Sequence, residues 1–258
     1  MIHIDFIEQG EGDRPLVILH GLFGSARNWG AIQKALARSR PVFALDARNH
    51  GRSAWTEGMT YDDMAEDLLN FLAEQGLAGC DVMGHSMGGK ASMVAALTEP
   101  AMIGRLMVVD IAPVRYRHSF GDYIQAMRDL DLSGITRRAE VAEALAPVVE
   151  DAGIRQFLLQ NLVPAKSGEG YAWQLNLATL GASMDDISAF PDLTGRTFEE
   201  PTRFLAGELS DYITFDRWDR VAKLFPKADH HEIPGVGHWP HAEKPKEFIQ
   251  EVEAFFSL

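Results

Sequence analysis

Residues 80–90 read Cys-Asp-Val-Met-Gly-His-Ser-Met-Gly-Gly-Lys, with the pattern G-x-S-x-G at Gly84–Gly88. The run before it is apolar and strand-like, and the run after it is helix-like, so Ser86 falls on a tight strand-to-helix turn. Such a turn pushes the hydroxyl out of the backbone and into a cleft. Gly84 and Gly88 permit the turn, because side chains there would strike neighbouring backbone. Ser86 also sits at a helix N-terminus, where free N–H groups and the helix dipole favour negative charge. The spacing makes Ser86 a candidate nucleophile. The plainer alternative is a Gly/Ser capping turn without chemistry.

Upstream, residues 2–7 read as a strand, Glu8–Pro15 as a turn and Leu16–His20 as a short buried strand. A glycine-bearing loop, Gly21–Ser25, and a helix near Trp29–Arg38 follow. Pro41–Asp46 is another buried strand, ending in the polar loop Ala47–Ser53. Tyr61–Gln75 sets Met64, Leu68, Leu69 and Leu72 on one helical face. Pro100 stops the helix after Ser86, and Leu106–Asp110 is a further apolar strand. This alternation predicts an α/β fold, a mostly parallel, doubly wound sheet with helices on both faces.

The alternation breaks at about residue 114. Ile135–Glu150 and Gly153–Asn161 look amphipathic, Tyr171–Met184 less so, and no convincing strand is legible before about residue 195. Strand signals return at Thr202–Ala206 and His230–Ile233. A closing helix spans Lys244–Phe256, with Phe248, Val252 and Phe255 on one side. The expectation is a core domain of residues 1–113 and 196–258 carrying a helical cap at 114–195. The alternative is that these helices extend the main layers.

The chain has 258 residues, enough for one large α/β domain with an insertion. Its formal net charge of −13, with no basic stripe, argues against a nucleic-acid partner. Cys80 is the lone cysteine, so no intrachain disulfide can form, which fits a reducing compartment. Met1–Ile7 has neither a basic start nor a long apolar run, so neither a signal peptide nor a membrane span is expected. A cytoplasmic protein with no membrane partner is the expectation. His230-His231 is too short a cluster to count as a metal site, and no metal or organic cofactor is expected.

In a doubly wound sheet, ligands gather at the carboxyl ends of the strands. The loops beginning at His20, Asp46, Ser86 and Asp110 lie at such ends, as do those carrying Asp211 and His238. A serine nucleophile needs a base. His238, in Pro234-Gly-Val-Gly-His-Trp239, follows the last strand directly. His241 is its rival but better begins the next helix. His20 reads as a brace, His85 as a neighbour of the nucleophile, and His50 as facing the cleft or capping a turn. His3, His118, His230 and His231 read as surface or packing residues. The base needs a carboxylate, and Asp110 and Asp211 both compete for that place.

His20-Gly-Leu-Phe-Gly-Ser25, Asp46-Ala-Arg-Asn-His-Gly51, Gly84–Lys90, Val109-Asp-Ile-Ala-Pro-Val114 and Gly237-His-Trp-Pro-His-Ala-Glu-Lys-Pro245 together resemble the YbfF-like esterases of the α/β-hydrolase fold. Eukaryotic relatives of that family include the abhydrolase domain-containing 11 proteins. The resemblance covers nearly the whole chain, least specifically the cap. It implies Ser86 as nucleophile, His238 as base and Asp110 as the acid, carried by the Val-Asp-Ile-Ala-Pro element. It also implies an oxyanion hole from the backbone N–H groups of Met87 and Leu22, with Phe23 as the fallback.

The reading that follows is a serine esterase acting on a small-molecule ester through an acyl-enzyme. The alternatives are an acyl-thioester (acyl-CoA) hydrolase and a ligand-binding protein on a hydrolase scaffold. Phe23, Trp29 and Trp239 are candidates for an apolar substrate pocket, with Met87, Phe157, Leu158 and Trp173 beside them. Lys90 and Arg48 could meet an anionic group such as a coenzyme A phosphate. Their plainer readings are a solvated helix face for Lys90 and a loop brace for Arg48.

Overall fold

The computed structural model describes residues 1–117, 120–165, 168 and 170–257, and His118 lies outside them. Short apolar runs become β1 (Phe6–Gln9), β2 (Leu16–Leu19), β3 (Val42–Leu45), β4 (Cys80–His85) and β5 (Ile103–Val109). Helices α1 (Gly30–Leu36), α2 (Tyr61–Glu74) and α3 (Met87–Thr98) separate β2 to β5. A 3-10 turn at Ala26–Trp29 leads into α1. Thr60 caps α2 by accepting from the Asp63 N–H, and Asp63 returns the bond to the Thr60 N–H. β1 starts later than the sequence suggests and runs on to Gln9, because pairing with β3 sets its limits (Phe6↔Leu45, Gln9↔Val42).

Between β5 and the next strand of the main sheet, the described residues form α4 (Phe120–Asp129), α5 (Arg138–Leu145), α6 (Ala152–Leu159), α7 (Leu177–Ala182) and α8 (Met184–Ser188). α5 is half the length read from the sequence, starting at Arg138 and ending at Leu145, since Pro147 has no N–H to continue the helix. The expectation of no strand here is corrected. An antiparallel hairpin, β6 (Leu162–Pro164) and β7 (Tyr171–Trp173), pairs Leu162 with Trp173. Three-residue strands are too short to show a two-residue period. The chain closes with β8 (Thr202–Gly207), α9 (Phe215–Leu224), β9 (Ala228–Ile233), α10 (Pro240–Glu243) and α11 (Pro245–Phe256).

The main sheet has the order β1-β3-β2-β4-β5-β8-β9, with β1 antiparallel and the other strands parallel. Alternate residues face opposite layers. Ile18, Ala44, Met83 and Val109 pack with Ile32 and Leu36 of α1 and with Phe248, Val252 and Phe255 of α11. Val17, Phe43, Val82 and Val108 pack with Met64 and Leu68 of α2 and with Ala91 and Val94 of α3. After β2 the chain steps outward to β3, and then returns to place β4 on the other side of β2. That reversal opens a crevice at the carboxyl ends of β2 and β4, where the Gly21–Ser25 loop meets Ser86.

Candidate active site

Ser86 joins β4 to α3 with φ 51° and ψ −117°, a backbone region few side-chain-bearing residues occupy. A Cβ on Gly84 would lie 2.3 Å from the Gly88 oxygen, and one on Gly88 would lie 2.6 Å from the Leu19 oxygen. Only glycines let the turn pack this tightly. Among the described residues, four non-glycine positions have positive φ: Phe23, Asn49, Ser86 and Asp110. All four lie on the loops that the sequence places at the carboxyl ends of the strands. Each such conformation costs about 1–3 kcal/mol and persists where its surroundings enforce it.

The structure brings Ser86, His238 and Asp110 together. The Ser86 hydroxyl lies 3.1 Å from His238 Nε2, and His238 Nδ1 lies 2.6 Å from Asp110 Oδ2. The carboxylate can only accept, so Nδ1 carries the ring hydrogen and Nε2 is left free to accept from serine. Asp110 has no solvent exposure. Its other donors are the Gly207 N–H at 3.1 Å and the Ser210 hydroxyl at 2.6 Å. Asp211, the rival carboxylate, is exposed at the surface, and its backbone oxygen accepts from Arg217. The residue of that loop that reaches the centre is therefore Ser210, one position earlier. The Tyr212 ring stacks on the His238 imidazole, with centroids 4.0 Å apart and planes at 19°.

Four buried histidines, His20, His50, His85 and His241, act as fixed, neutral struts. His85 Nε2 donates to the His238 backbone oxygen at 2.8 Å, holding the loop that carries His238. Burial, followed by the neighbouring rings of His241 and His238, pushes the His85 imidazole well below its ordinary range. Burial pushes His241 down to about 3 and also lowers His20. His50 goes to about 3, for burial first and then for the adjacent His20. His241 sits in α10, as the sequence suggested, and its ring stacks on Trp29 at 4.4 Å.

The loop after β2 folds into a tight turn closed by the Gly24 N–H bonding to the Gly21 oxygen at 2.9 Å. His20 Nδ1 donates to the same oxygen at 2.8 Å, while its Nε2 accepts from the Ala47 N–H. In a planar trans peptide the N–H points opposite to the C=O. With the Gly21 oxygen held on one side, the Leu22 N–H faces the other way. It makes no hydrogen bond among the described residues. The Phe23 N–H, the fallback donor, is occupied, donating to His50 Nε2 at 3.2 Å.

Phe23, Trp29 and Trp239 line the cleft above Ser86, with Phe157 beside them. Phe120, Tyr123 and Ile154 line it too and were missed in the sequence, because their approach depends on how α4 and α6 fold back. Trp29 is 1% exposed and belongs as much to the core as to the cleft. Three expected lining residues turn away. The Met87 side chain points to a separate small cavity with Arg48 and Asp67, Leu158 is buried in the core, and Trp173 Nε1 donates to the Met127 oxygen. Lys90 is not on a solvated face. It is 1% exposed, and its ammonium donates to the Ser188 and Ala189 oxygens at 3.0 and 2.6 Å. The Tyr61 and Tyr116 rings lie 5.3 and 4.9 Å from Nζ. Burial, with Arg115 nearby, pushes the Lys90 ammonium down to about 7. Arg48 is the expected loop brace, bonded to Asp67 at 2.6 and 2.8 Å. Among the described residues no group of three or more His, Cys, Asp or Glu side chains could hold a metal ion.

This sheet and its catalytic-type loops define a hydrolase class. Residues 16–251 match the alpha/beta hydrolase family, and the chain belongs to it. It is an enzyme, a hydrolase of the esterase and lipase type. It is 42% identical over 255 residues to the sn-1-specific diacylglycerol lipase ABHD11 of Danio rerio, covering 95% of this chain and 80% of that one. It is 33% identical over 244 residues to esterase YbfF of Escherichia coli K12, covering 94% and 93%. A solved marine microorganism esterase superposes with a TM-score of 0.94 at 37% identity, covering 99% of this chain and 100% of that one. The resemblance to YbfF-like esterases read from the motifs is borne out. Among the described residues no helix is long and apolar enough to cross a membrane.

Proposed function

We propose that the chain hydrolyses carboxylic esters through a covalent acyl-enzyme formed on Ser86. The observation that carries this is the continuous line of contacts from Ser86 Oγ through the His238 ring to Asp110. His238 Nε2 takes the hydroxyl proton as Oγ attacks the ester carbonyl, and Asp110 stabilises the imidazolium that forms. The Leu22 and Met87 N–H groups receive the developing oxyanion. Met87 is the first residue of α3, and its N–H has no partner within the helix. His238 then protonates the departing alcohol. Water, deprotonated by the same nitrogen, releases the acid and frees Ser86.

Residues 114–195 act as a cap that closes the cleft above this centre, with residues 1–113 and 196–258 as the core. Phe23, Trp29 and Trp239 bind the apolar part of the substrate, together with Phe120, Ile154 and Phe157. The described lining carries no Lys, Arg, Asp or Glu side chain. This favours a neutral ester over an acyl-CoA, and the relatives named as diacylglycerol lipases point to neutral glycerides. The test is kcat/KM for p-nitrophenyl esters of rising acyl length, with Ser86→Ala as the control. Ser86-dependent turnover that rises and then falls with chain length is expected. Equal turnover by Ser86→Ala would overturn the reading.

A further inference from the structure

The turn that presents the Leu22 N–H has Phe23 as its third residue, at φ 63°, where a glycine is normally needed. A phenylalanine there would relax if its flanking peptide planes were free to rotate. Both are held. On one side the Phe23 N–H donates to His50 Nε2 at 3.2 Å, and the neutral His50 ring is oriented by Nδ1 donating to the Arg48 oxygen at 2.9 Å. On the other side the Phe23 oxygen accepts from Asn161 Nδ2 at 2.8 Å. His50 belongs to the loop after β3. Asn161 belongs to the stretch between β5 and β8, just beyond α6.

Asn161 is built for this contact. It is 4% exposed, and its own N–H donates to the Leu158 oxygen at 3.1 Å. Its backbone oxygen accepts from the Gln174 N–H at 2.7 Å, and its Nδ2 also reaches the Leu158 oxygen at 3.2 Å. The amide thus has a fixed aim, and α6, which it follows, also supplies Ile154 and Phe157 to the cleft. The geometry points to Asn161 as a positioning residue that sets the oxyanion hole: by holding the Phe23 carbonyl it keeps the turn in the form that aims the Leu22 N–H at the substrate. This rests on the proposed reading of Leu22 as an oxyanion donor. Under it the inserted segment takes part in rate acceleration as well as in binding.

The experiment measures kcat, KM and inhibition by an alkyl trifluoromethyl ketone, whose adduct with a serine hydroxyl carries an oxyanion. Asn161→Leu removes the donor, and the near-isosteric Asn161→Asp replaces it with an acceptor and decides the matter if the leucine variant does not fold. Gln160→Ala breaks the neighbouring contact with Asn28 and leaves the turn alone. Expected for Asn161→Asp is a kcat lower by about 10–100-fold, with ketone affinity weaker by the same factor and KM changed by less than about threefold. Gln160→Ala should match the wild type in all three. A folded Asn161 variant with wild-type kcat, or one that loses kcat but keeps ketone affinity, overturns the proposal. Ser86→Ala separates the two levels. If it turns over ester or still binds the ketone tightly, the triad reading itself fails. If it does neither and the Asn161 variants behave as wild type, only this inference fails.

Discussion

Ser210 Oγ donates to Asp110 Oδ2 at 2.6 Å, onto the same oxygen that accepts from His238 Nδ1. Asp110 is cut off from solvent, so no water can replace that donor cheaply. Ser210→Ala should therefore cost about 1–3 kcal/mol of stability, the usual penalty for a charged buried group left short of a partner. It should also lower kcat by about tenfold as the carboxylate shifts beneath the imidazole. Urea unfolding and steady-state kinetics check both, and Ser210→Thr should keep most of each. Wild-type values for Ser210→Ala would mean that the hydroxyl does not brace the carboxylate.

The two aspartates separate in one pair of variants. Asp110→Asn keeps the shape but reverses the hydrogen-bond sense at His238, and kcat should fall by about 10⁴-fold. Asp211→Asn alters an exposed side chain, and kcat should stay within about twofold of wild type. The opposite ranking would move the acid to the loop after β8.

Ser86 and the alternation of strands and helices were legible because they rest on local patterns: a glycine spacing and runs of apolar residues. His238 was legible because a Gly-Val-Gly-His stretch directly follows a strand. Ser210 was not, because its partner lies across the β5–β8 boundary, and Asp211 beside it had the more suggestive chemistry. Lys90 was misread because a lysine on a helix is solvent-facing by default. The clue lay in its neighbours, since Ala91, Met93, Val94, Ala95, Ala96 and Leu97 are all buried and α3 has no wet face. The β6–β7 strands are too short to show a period, and the approach of Phe120 to Phe23 comes from a pairing distant in the chain, which no local pattern records.

The acid limb of the pH–rate profile should report one proton. His20, His50, His85 and His241 are held neutral by burial, so they do not protonate alongside the base. Log kcat/KM should fall with a slope of about one as pH drops. A slope near two would show that one of these struts titrates together with His238.

Lys90 should make stability rise with pH. Its folded pKa, about 7, lies below the 10.5 of an ordinary lysine. Between those values the unfolded chain binds a proton that the folded chain does not, so stability grows as pH climbs through that window and is flat below it. Lys90→Met should remove this gain. Unfolding free energies from pH 7 to 10, compared between the two proteins, check it, and parallel curves would mean the buried ammonium keeps its charge throughout.

The chain leaves the sheet at Asp110, after β5, and comes back at Thr202 as the parallel neighbour β8, whose carboxyl end is stitched beside Asp110. Val109 pairs with Leu205, the Asp110 N–H bonds to the Leu205 oxygen at 2.9 Å, and the Gly207 N–H bonds to the Asp110 carboxylate. Everything in between is an excursion linking two strands that the sheet already pairs along their length. Closing a longer excursion costs only about 0.6 kcal/mol per doubling of its length. A different interval between the same two strands should therefore change what the cleft admits and leave the Asp110–His238 contact in place. Any transplanted interval must still bring a donor of its own to the Phe23 carbonyl.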